Sequence, residues 1–317
     1  MIVVTTPTGA IGRQVLDRLL DGGEAVRVIA RDPSRLSARV HARAEVVEGS
    51  HGDGDTIRKA LEGADRMFWL VPPAGLDRAD SARRYYLEFT RAACRTAASR
   101  GVRVVGVTSL GHGYRGEAGL LSAALAMDEL FESAGVHYRA LALPFFMENL
   151  LHQARAMGER GTFVLANAAD RPLPTVATRD VAAAAAALLL DTGWAGRARV
   201  PLVGPDRLTP DAMAEVISET LGRTVHYRRI PLADYRSAMV RRGASPATAQ
   251  DFVDMVEAQN DGIYDAELRD LGSVSGTGGG TGAGTGAGTG AGTGADTRTG
   301  TGFRAWCQDT LVSAARS

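Results

Sequence analysis

The residues best suited to chemistry in this sequence lie close to its start. Gly9 and Gly12 follow the run Thr5-Thr6-Pro7-Thr8 and are separated by two small or apolar residues. A glycine at the first position lets the backbone approach a ligand, and a glycine at the second lets a helix pack closely on a strand. The N–H groups and positive end of a helix that begins here would suit a pyrophosphate. The residues predicted to contact such a ligand are Thr6, Thr8, Gly9, Ala10, Ile11 and Gly12.

A turn with only a structural role is the alternative interpretation, because glycine-rich turns close many β-α units. The first glycine of the dinucleotide fingerprint is also missing, since Thr6 stands in its place. The flanking residues favour binding. Residues 2–5 form a β-branched run typical of a buried strand, and apolar residues follow at helical spacing from Ala10 onward.

The next strand indicates which nucleotide would bind. Residues 24–30 alternate as a strand, which closes a βαβ unit within about 30 residues. An acidic residue at the end of this strand would hold the ribose hydroxyls of NAD, but Arg31 follows it, with Arg35 one turn further on. These cations suit a 2′-phosphate, so NADP(H) is favoured over NAD(H). Asp32 is evidence against this preference unless it caps a short helix that begins at Pro33.

Three side chains after a later strand could act on a substrate. Ser109 could hydrogen-bond a substrate oxygen or simply satisfy the end of its strand. The imidazole of His112 could donate a proton to a reduced acceptor, although a lone histidine in a loop is more often solvated. Ser109 and His112 are the predicted catalytic residues. Tyr114, like His112, could donate a proton to a reduced acceptor or could simply be solvated. Phe145 and Phe146 could line an apolar pocket or belong to the core.

The elements that position these residues alternate regularly between strands and helices. The predicted strands cover residues 2–5, 24–30, 44–48, 66–71, 102–108 and 137–143, and a long helix is expected over residues 77–100. This order predicts an α/β fold, namely a doubly wound parallel-sheet Rossmann fold with a smaller C-terminal α/β lobe.

Ligands of such sheets lie beyond the carboxyl ends of the strands, so the loops after the strands supply the remaining contacts. The further residues predicted to bind the cofactor are Ser50, His51, Val71, Pro72, Pro73, Thr108 and Pro144. The residues predicted to bind the substrate are Tyr114, Phe145, Phe146 and Asn149.

The alternation of predicted strands and helices changes along the chain, and this change also predicts its domain organisation. Residues 1–150 form the nucleotide-binding domain, residues 175–205 pack back on it, and residues 151–271 form the smaller substrate lobe. Residues 272–302 are a Gly/Thr/Ala repeat that cannot bury apolar area, which is typical of a linker. Residues 303–317 return to helical spacing and are expected to dock on the body of the protein.

Composition excludes several classes of partner. The 317 residues include 36 basic and 36 acidic residues, so no net field would attract nucleic acid or a membrane surface. The apolar run 181–190 is too short to span a bilayer. The start of the chain resembles a core strand and not a signal peptide, and the two cysteines indicate neither a disulfide nor a metal site. We therefore expect a cytoplasmic protein that binds a small molecule and no metal, with a homodimer as one possible assembly.

Several motifs resemble the NmrA-like group of atypical short-chain dehydrogenases/reductases. They are residues 5–13 (TTPTGAIGR), 28–33 (VIARDP), 133–136 (SAGV), 144–149 (PFFMEN), 179–182 (RDVA) and 203–205 (VGP). The resemblance covers residues 1 to about 270 and resumes near Phe303. It implies a Rossmann fold with NADP(H) in the cleft. Two departures are Thr6, at the first glycine position, and Ser50, where the group often has aspartate.

The resemblance also implies what chemistry to expect. In the larger family a serine acts with a Tyr-x-x-x-Lys pair, whose lysine lowers the tyrosine pKa so that the phenol exchanges a proton with a carbonyl substrate. Here the only lysine is Lys59, on a different helix, and no tyrosine precedes a lysine by four positions. The prediction is therefore an NADPH-dependent oxidoreductase that passes hydride to a planar quinone-type or azo-type acceptor. The alternative is a non-catalytic NADP(H) sensor that acts through a protein partner.

Overall fold

The structure is a computed structural model that describes residues 1–274 and 300–316. The strands are β1 (Ile2–Val4), β2 (Val26–Ala30), β3 (Ala44–Glu48), β4 (Arg66–Trp69), β5 (Arg103–Ser109), β6 (Tyr138–Leu143), β7 (Phe145–Phe146), β8 (Thr162–Leu165), β9 (Thr175–Val176), β10 (Arg197–Pro201) and β11 (His226–Arg229). The helices are α1 (Ala10–Asp21), α2 (Ala38–Arg43), α3 (Gly54–Ala60), α4 (Ala82–Arg100), α5 (Leu120–Ser133), α6 (Ala154–Arg160), α7 (Thr178–Leu190), α8 (Pro210–Leu221), α9 (Leu232–Arg241), α10 (Pro246–Asn260), α11 (Asp265–Val274), α12 (Phe303–Trp306) and α13 (Val312–Arg316).

Seven parallel strands form the central sheet in the spatial order β3-β2-β1-β4-β5-β6-β10. The chain starts in the middle, winds outward to β3, and then returns to the other side of β1. The direction of winding therefore reverses between β1 and β4, which is where open α/β sheets bind their ligands. The predicted doubly wound Rossmann fold is confirmed.

Helices cover both faces of this sheet. On one face α1 and α7 pack together over the strands, with Val15, Leu16 and Val181 fully buried. On the other face α3, α4 and α5 bury residues such as Met127 and Phe131. Because both faces are covered, the central strands β1 and β4 are buried along their whole length, as the β-branched run of β1 predicted.

The elements α6, β8, β11 and α8–α13 form a smaller C-terminal lobe that packs beyond the carboxyl ends of the strands. Its core joins α6, the two paired strands β8 and β11, and α8 to the C-terminal helices. This core includes Phe163, Phe303 and Trp306, which are fully buried. Just before α12, the hydroxyl of Thr301 donates a 2.8 Å hydrogen bond to the carboxylate of Asp180 on α7 and so ties this segment to the sheet domain. Cys307 is buried in the same core, and burial raises its pKa to about 12, so this thiol acts as a packing residue.

The long helix expected over residues 77–100 is divided in the structure. A 3₁₀ turn covers Leu76–Arg78, and α4 begins only at Ala82. The side chain of Ser81 accepts a hydrogen bond from a first-turn N–H and caps α4. Thr248 at the start of α10 donates to the carbonyl oxygen of Leu76 at 2.7 Å. The expected first turn was therefore wrong, because a local cap starts the helix later and the lobe holds the residues before it.

The predicted linker lies largely outside the described residues, which resume at Gly300. Within the described parts of the chain, no helix is long and apolar enough to cross a membrane. The same residues contain no group of three or more His, Cys, Asp or Glu side chains arranged to hold a metal ion.

Candidate active site

The turn between β1 and α1 has the geometry of a phosphate-binding turn despite its missing glycine. Thr6 adopts a positive φ of 52°, the left-handed conformation that glycine favours. A Cβ atom added to Gly12 would lie 2.2 Å from the carbonyl oxygen of Thr6, so only glycine allows α1 to pack this closely on the turn. The threonine at the fingerprint position therefore keeps the backbone path of the glycine that it replaces.

Among the described residues, this turn has one hydroxyl without a hydrogen-bond partner and a helix start without a side-chain cap. Gly9 is the N-cap residue of α1 and provides no side chain to cap the first-turn N–H groups. The hydroxyl of Thr6 is buried without a hydrogen-bond partner among the described residues. Thr8 and Ala10 are exposed beside it. An orphan hydroxyl next to an uncapped helix start fits the pyrophosphate of a dinucleotide.

Two arginines lie at the end of β2, where the adenosine half of a nucleotide would extend. Arg31 and Arg35 are exposed, and neither forms an ion pair with another described residue. Asp32 points elsewhere: its carboxylate accepts hydrogen bonds from the hydroxyl of Ser34 at 2.6 Å and from its N–H at 3.1 Å. The hydrogen bond from the Ser34 hydroxyl lowers the pKa of Asp32. Asp32 thus caps the 3₁₀ turn, and the two cations remain available to a phosphate.

The loop after β3 is held in place by a buried histidine. His51 packs edge-on against Trp69 and Phe89, with ring centroids 5.3 and 4.7 Å away. Its Nε2 atom lies 3.0 Å from the carbonyl oxygen of Leu70. Burial lowers the pKa of His51 to about 4, so the ring is neutral at pH 7. The ring is buried beneath the loop, while Ser50 supports the turn by accepting a hydrogen bond from a backbone N–H at 3.2 Å.

The loop after β4 borders the same region. Val71 is buried, whereas Pro72 and Pro73 are progressively more exposed. Tyr85 on α4 holds this loop, because its hydroxyl lies 3.0 Å from the carbonyl oxygen of Pro72 and 2.9 Å from that of Ala74. Sequence reasoning missed this role for Tyr85, which the residue type alone does not indicate.

Ser109 lies at the carboxyl end of β5 but is only 5% exposed. Its hydroxyl donates to the carbonyl oxygen of Leu110 at 2.8 Å and also contacts the hydroxyl of Tyr264 from the C-terminal lobe. Tyr264 accepts a 3.0 Å hydrogen bond from the amide of Gln259, and burial raises its pKa to about 12. The Ser109 hydroxyl therefore joins β5 to the lobe, and its catalytic role stays a prediction.

The loop that follows Ser109 is open to solvent. His112 and Tyr114 are both exposed, so either side chain can reach a ligand at this edge. The backbone N–H groups of Gly111 and His112 both donate to the carboxylate of Glu267 on α11, the latter at 3.1 Å. A helix of the C-terminal lobe thus fixes the start of this loop.

A buried polar network lies beneath the same edge. Asp128 on α5 accepts hydrogen bonds from the hydroxyls of Thr108 and Tyr138, both at 2.7 Å, and forms a 3.0 Å ion pair with Arg199 on β10. Burial raises the pKa of Asp128 to about 6. Because the hydroxyl of Thr108 donates inward, it does not point to the cofactor edge. The sequence signal for this network was an acid, Asp128, directly after the apolar run 123–127 of α5.

The segment after β6 completes the edge. Pro144 is buried, and the half-buried Phe145 and Phe146 form β7, which pairs with β9. Asn149 is exposed a few residues later. Glu148 accepts from the indole of Trp306 at 3.2 Å and from a backbone N–H at the start of α7, so it ties this segment to the lobe.

A family model described as NAD(P)H-binding matches residues 7–192, which is more than half of the chain. The chain belongs to the NAD(P)H-binding family. The matched region begins within the turn between β1 and α1, one residue after Thr6, and includes the loops after β2, β3, β4, β5 and β6. The nicotinamide nucleotide is thus the cofactor of this family, and the geometry of the turn fits it.

Relatives with established names cover most of the chain. A (4-alkanoyl-5-oxo-2,5-dihydrofuran-3-yl)methyl phosphate reductase of Streptomyces griseus is 33% identical over 83% of this chain and 88% of its own. Quinone oxidoreductase 2 of Escherichia coli is 26% identical over 84% of this chain and 90% of its own. An NAD(P)H azoreductase of Xenophilus azovorans is 27% identical over 78% and 84%, respectively.

Solved structures share the fold of this NAD(P)H-binding protein. The NADPH-dependent quinone oxidoreductase of Escherichia coli, complexed with NADPH, superposes with a TM-score of 0.69 and 24% identity over 83% of this chain and 90% of that chain. The triphenylmethane reductase of a Citrobacter species gives a TM-score of 0.67 and 21% identity over 84% and 90%. The resemblance to the NmrA-like, quinone-reductase-like group is confirmed, and the chain is an NAD(P)H-dependent oxidoreductase.

Proposed function

We propose that this protein is an NADPH-dependent reductase of small, planar, electron-poor acceptors of the quinone or azo type. The observation that carries this proposal is the uncapped start of α1, with its orphan Thr6 hydroxyl, beside the unpaired cations Arg31 and Arg35. Together these groups match the pyrophosphate and the 2′-phosphate of NADPH.

The preference for NADPH over NADH follows from the end of β2. The carboxylate of Asp32 is occupied by Ser34, so it is turned away from the ribose hydroxyls that an NAD-selective acid would hold. A 2′-phosphate gains charge-assisted hydrogen bonds from a guanidinium group, which NADH cannot form.

The reaction does not rely on a dedicated proton donor. Helix α5 contains neither tyrosine nor lysine. The Ser109 hydroxyl already donates a hydrogen bond to the carbonyl oxygen of Leu110. The bound nucleotide supplies hydride, and the residues around it position the acceptor and restrict water. A quinone or azo acceptor can take its proton from solvent or from the exposed His112 or Tyr114, so positioning supplies most of the rate enhancement.

The acceptor pocket is proposed to lie beside Phe145 and Phe146. These half-buried rings follow β6, one strand beyond the loop that carries His112 and Tyr114. Aromatic side chains favour stacked or edge-on contacts with flat ligands. The names of the relatives support the same acceptor classes, and that of the Streptomyces griseus relative adds a phosphate ester to them.

The test is a spectrophotometric screen of NADPH oxidation against quinone, azo, aldehyde and simple ketone acceptors. We expect turnover with quinones and almost none with ketones, which need a proton as they accept hydride. If NADPH binds but no acceptor is reduced, and binding alters the protease sensitivity of the small lobe, the sensor alternative replaces this proposal.

A further inference from the structure

A groove of about 420 Å³ opens on the side of the C-terminal lobe. Its lining residues are Arg171, Pro172, Pro174, Arg207, Asp265, Leu268 and Arg269. The two prolines and the leucine give it an apolar floor, and the remaining residues are charged. The lining residues come from three separate parts of the chain, which the fold brings together.

The groove has an excess of positive charge. It contains three guanidinium groups and one carboxylate, and that carboxylate, Asp265, pairs with Arg171. Within the described parts of the chain, the hydrogen bond of Arg207 is a long 3.4 Å contact to the carbonyl oxygen of Leu268. Neither Arg207 nor Arg269 forms an ion pair with any residue that the structure describes. Two exposed guanidinium groups therefore remain for an anion, above a floor that would accept an apolar body.

The position of the groove relates it to the proposed reaction site. The carbonyl oxygen of Pro174 accepts a 3.3 Å hydrogen bond from the N–H of Phe145, so the groove begins next to the predicted acceptor wall. A second small cavity extends it past Gly204, which follows β10. The groove therefore lies beyond β6 and β10, whereas the phosphate turn follows β1.

Three strand spacings separate β1 from β6, about 14 Å. A dinucleotide that starts at the β1 turn and extends towards β5 would leave its reactive end between the turn and the groove. An acceptor beside Phe145 could then reach the groove with a short substituent. This side of the site requires no charge to hold the cofactor, so its arginines are unexplained by cofactor binding.

We infer that this groove binds a phosphate monoester, or an equivalent compact anion, carried on the apolar body of the acceptor. This inference rests on the proposed function, because it names the class of acceptor that the same site selects. The anion would pair with Arg207 and Arg269, and the apolar body would cover the prolines. The carboxylate of Asp265 repels the anion and so lowers the affinity of the groove for it.

Binding can be measured without turnover by calorimetry with hexyl phosphate on the full chain in the presence of NADP. We expect Arg207→Ala and Arg269→Ala each to weaken binding about tenfold, and the double variant to abolish it. Asp265→Asn should tighten binding severalfold, an effect that misfolding cannot produce. The matched control Arg91→Ala removes an exposed arginine of α4 that does not line the groove, and it should leave the affinity unchanged.

Turnover gives an independent readout. The ratio of kcat/KM for a sulfonated naphthoquinone to that for neutral menadione should fall at least about tenfold in the double variant. If menadione is reduced but hexyl phosphate does not bind, the groove inference fails and the proposed function stands. If hexyl phosphate binds through these arginines but no acceptor is reduced, the anion site stands and the proposed function fails. Arginine-dependent retention on phosphatidylglycerol vesicles, without hexyl phosphate binding, would overturn the inference in favour of a lipid surface.

Discussion

Replacing Gly12 by alanine tests whether the turn between β1 and α1 works as a phosphate site. The new Cβ atom would lie 2.2 Å from the carbonyl oxygen of Thr6 and 2.8 Å from its carbonyl carbon. Neither is the end of a flexible side chain, so the helix itself must move away from the turn. The matched control is Gly9→Ala, whose Cβ atom would lie 3.3 Å from the same oxygen and needs only a small adjustment.

The magnitude follows from this overlap. Restoring an ordinary contact requires a shift of about 1 Å, and overpacking of this kind costs about 1–3 kcal/mol. Alanine in place of glycine inside a helix contributes about 1 kcal/mol in the opposite direction. Because the overlapping atoms belong to the backbone, the overpacking cost falls in the upper half of its range, so we expect Gly12→Ala to lower the free energy of unfolding by about 1–2 kcal/mol. The shifted N–H groups should also weaken NADPH binding about tenfold or more.

The assay pairs urea unfolding with calorimetric titration of NADPH. Gly9→Ala should leave the free energy of unfolding within about 0.5 kcal/mol of wild type and weaken NADPH binding, because its methyl group lies where the phosphates approach. A Gly12→Ala protein with wild-type stability and wild-type NADPH affinity would refute the assigned packing. Equal effects of the two substitutions on stability would also contradict it.

Four further predictions test other parts of the molecule. Arg31→Ala should weaken NADPH binding about tenfold to hundredfold and leave NADH unchanged in calorimetry, and equal affinities for both nucleotides in wild type would contradict this. Ser109→Ala and His112→Ala should each slow quinone reduction by at most about tenfold, whereas a loss of about a thousandfold in steady-state assays would reveal a dedicated acid. Burial raises the pKa of Asp128 to about 6, so the folded protein binds this proton more tightly than the unfolded chain. Wild type should therefore lose stability relative to Asp128→Asn as the pH rises from about 4 to about 6, and urea unfolding that shows the opposite trend would exclude this sign. Shortening residues 276–300, with enough chain left to reach Thr301, should leave melting temperature and NADPH affinity nearly unchanged, since loop closure depends weakly on length; a loss of binding with the fold intact would show a role for the repeat.

Much of the framework could be predicted from the sequence because it depends on neighbouring residues. The β-branched run before Thr6 and the helical spacing after Ala10 set a strand, a turn and a helix in that order. Strands that alternate with helices at short intervals favour a parallel sheet, because each helix forms a right-handed crossover between two strands. The sequence also predicted that Asp32 could cap a turn and that Gly12 allows close packing, since the partners of both residues lie within a few positions.

Some positions were placed correctly by the sequence, but their environment was decided by tertiary structure. Ser109 does lie at the end of β5, yet Tyr264 covers its hydroxyl. His51 does follow β3, yet its ring is buried against Trp69 and Phe89. No local pattern predicts these contacts, because they depend on how the lobe and α4 dock on the sheet.

Other features exist only in the folded protein. Asp128 and Arg199 are 71 positions apart in the chain and meet because β10 lies beside β6, so that the arginine on this outer strand reaches α5. The groove of the C-terminal lobe joins Arg171, Arg207 and Arg269, which share no motif and lie in separate parts of the chain. The sequence by itself determined the order of strands and helices and the glycine-containing turn between β1 and α1, since backbone sterics and hydrophobic periodicity act over a few residues. Only the tertiary structure decided which distant charges become neighbours, because that depends on the burial of whole faces when the lobe packs against the sheet.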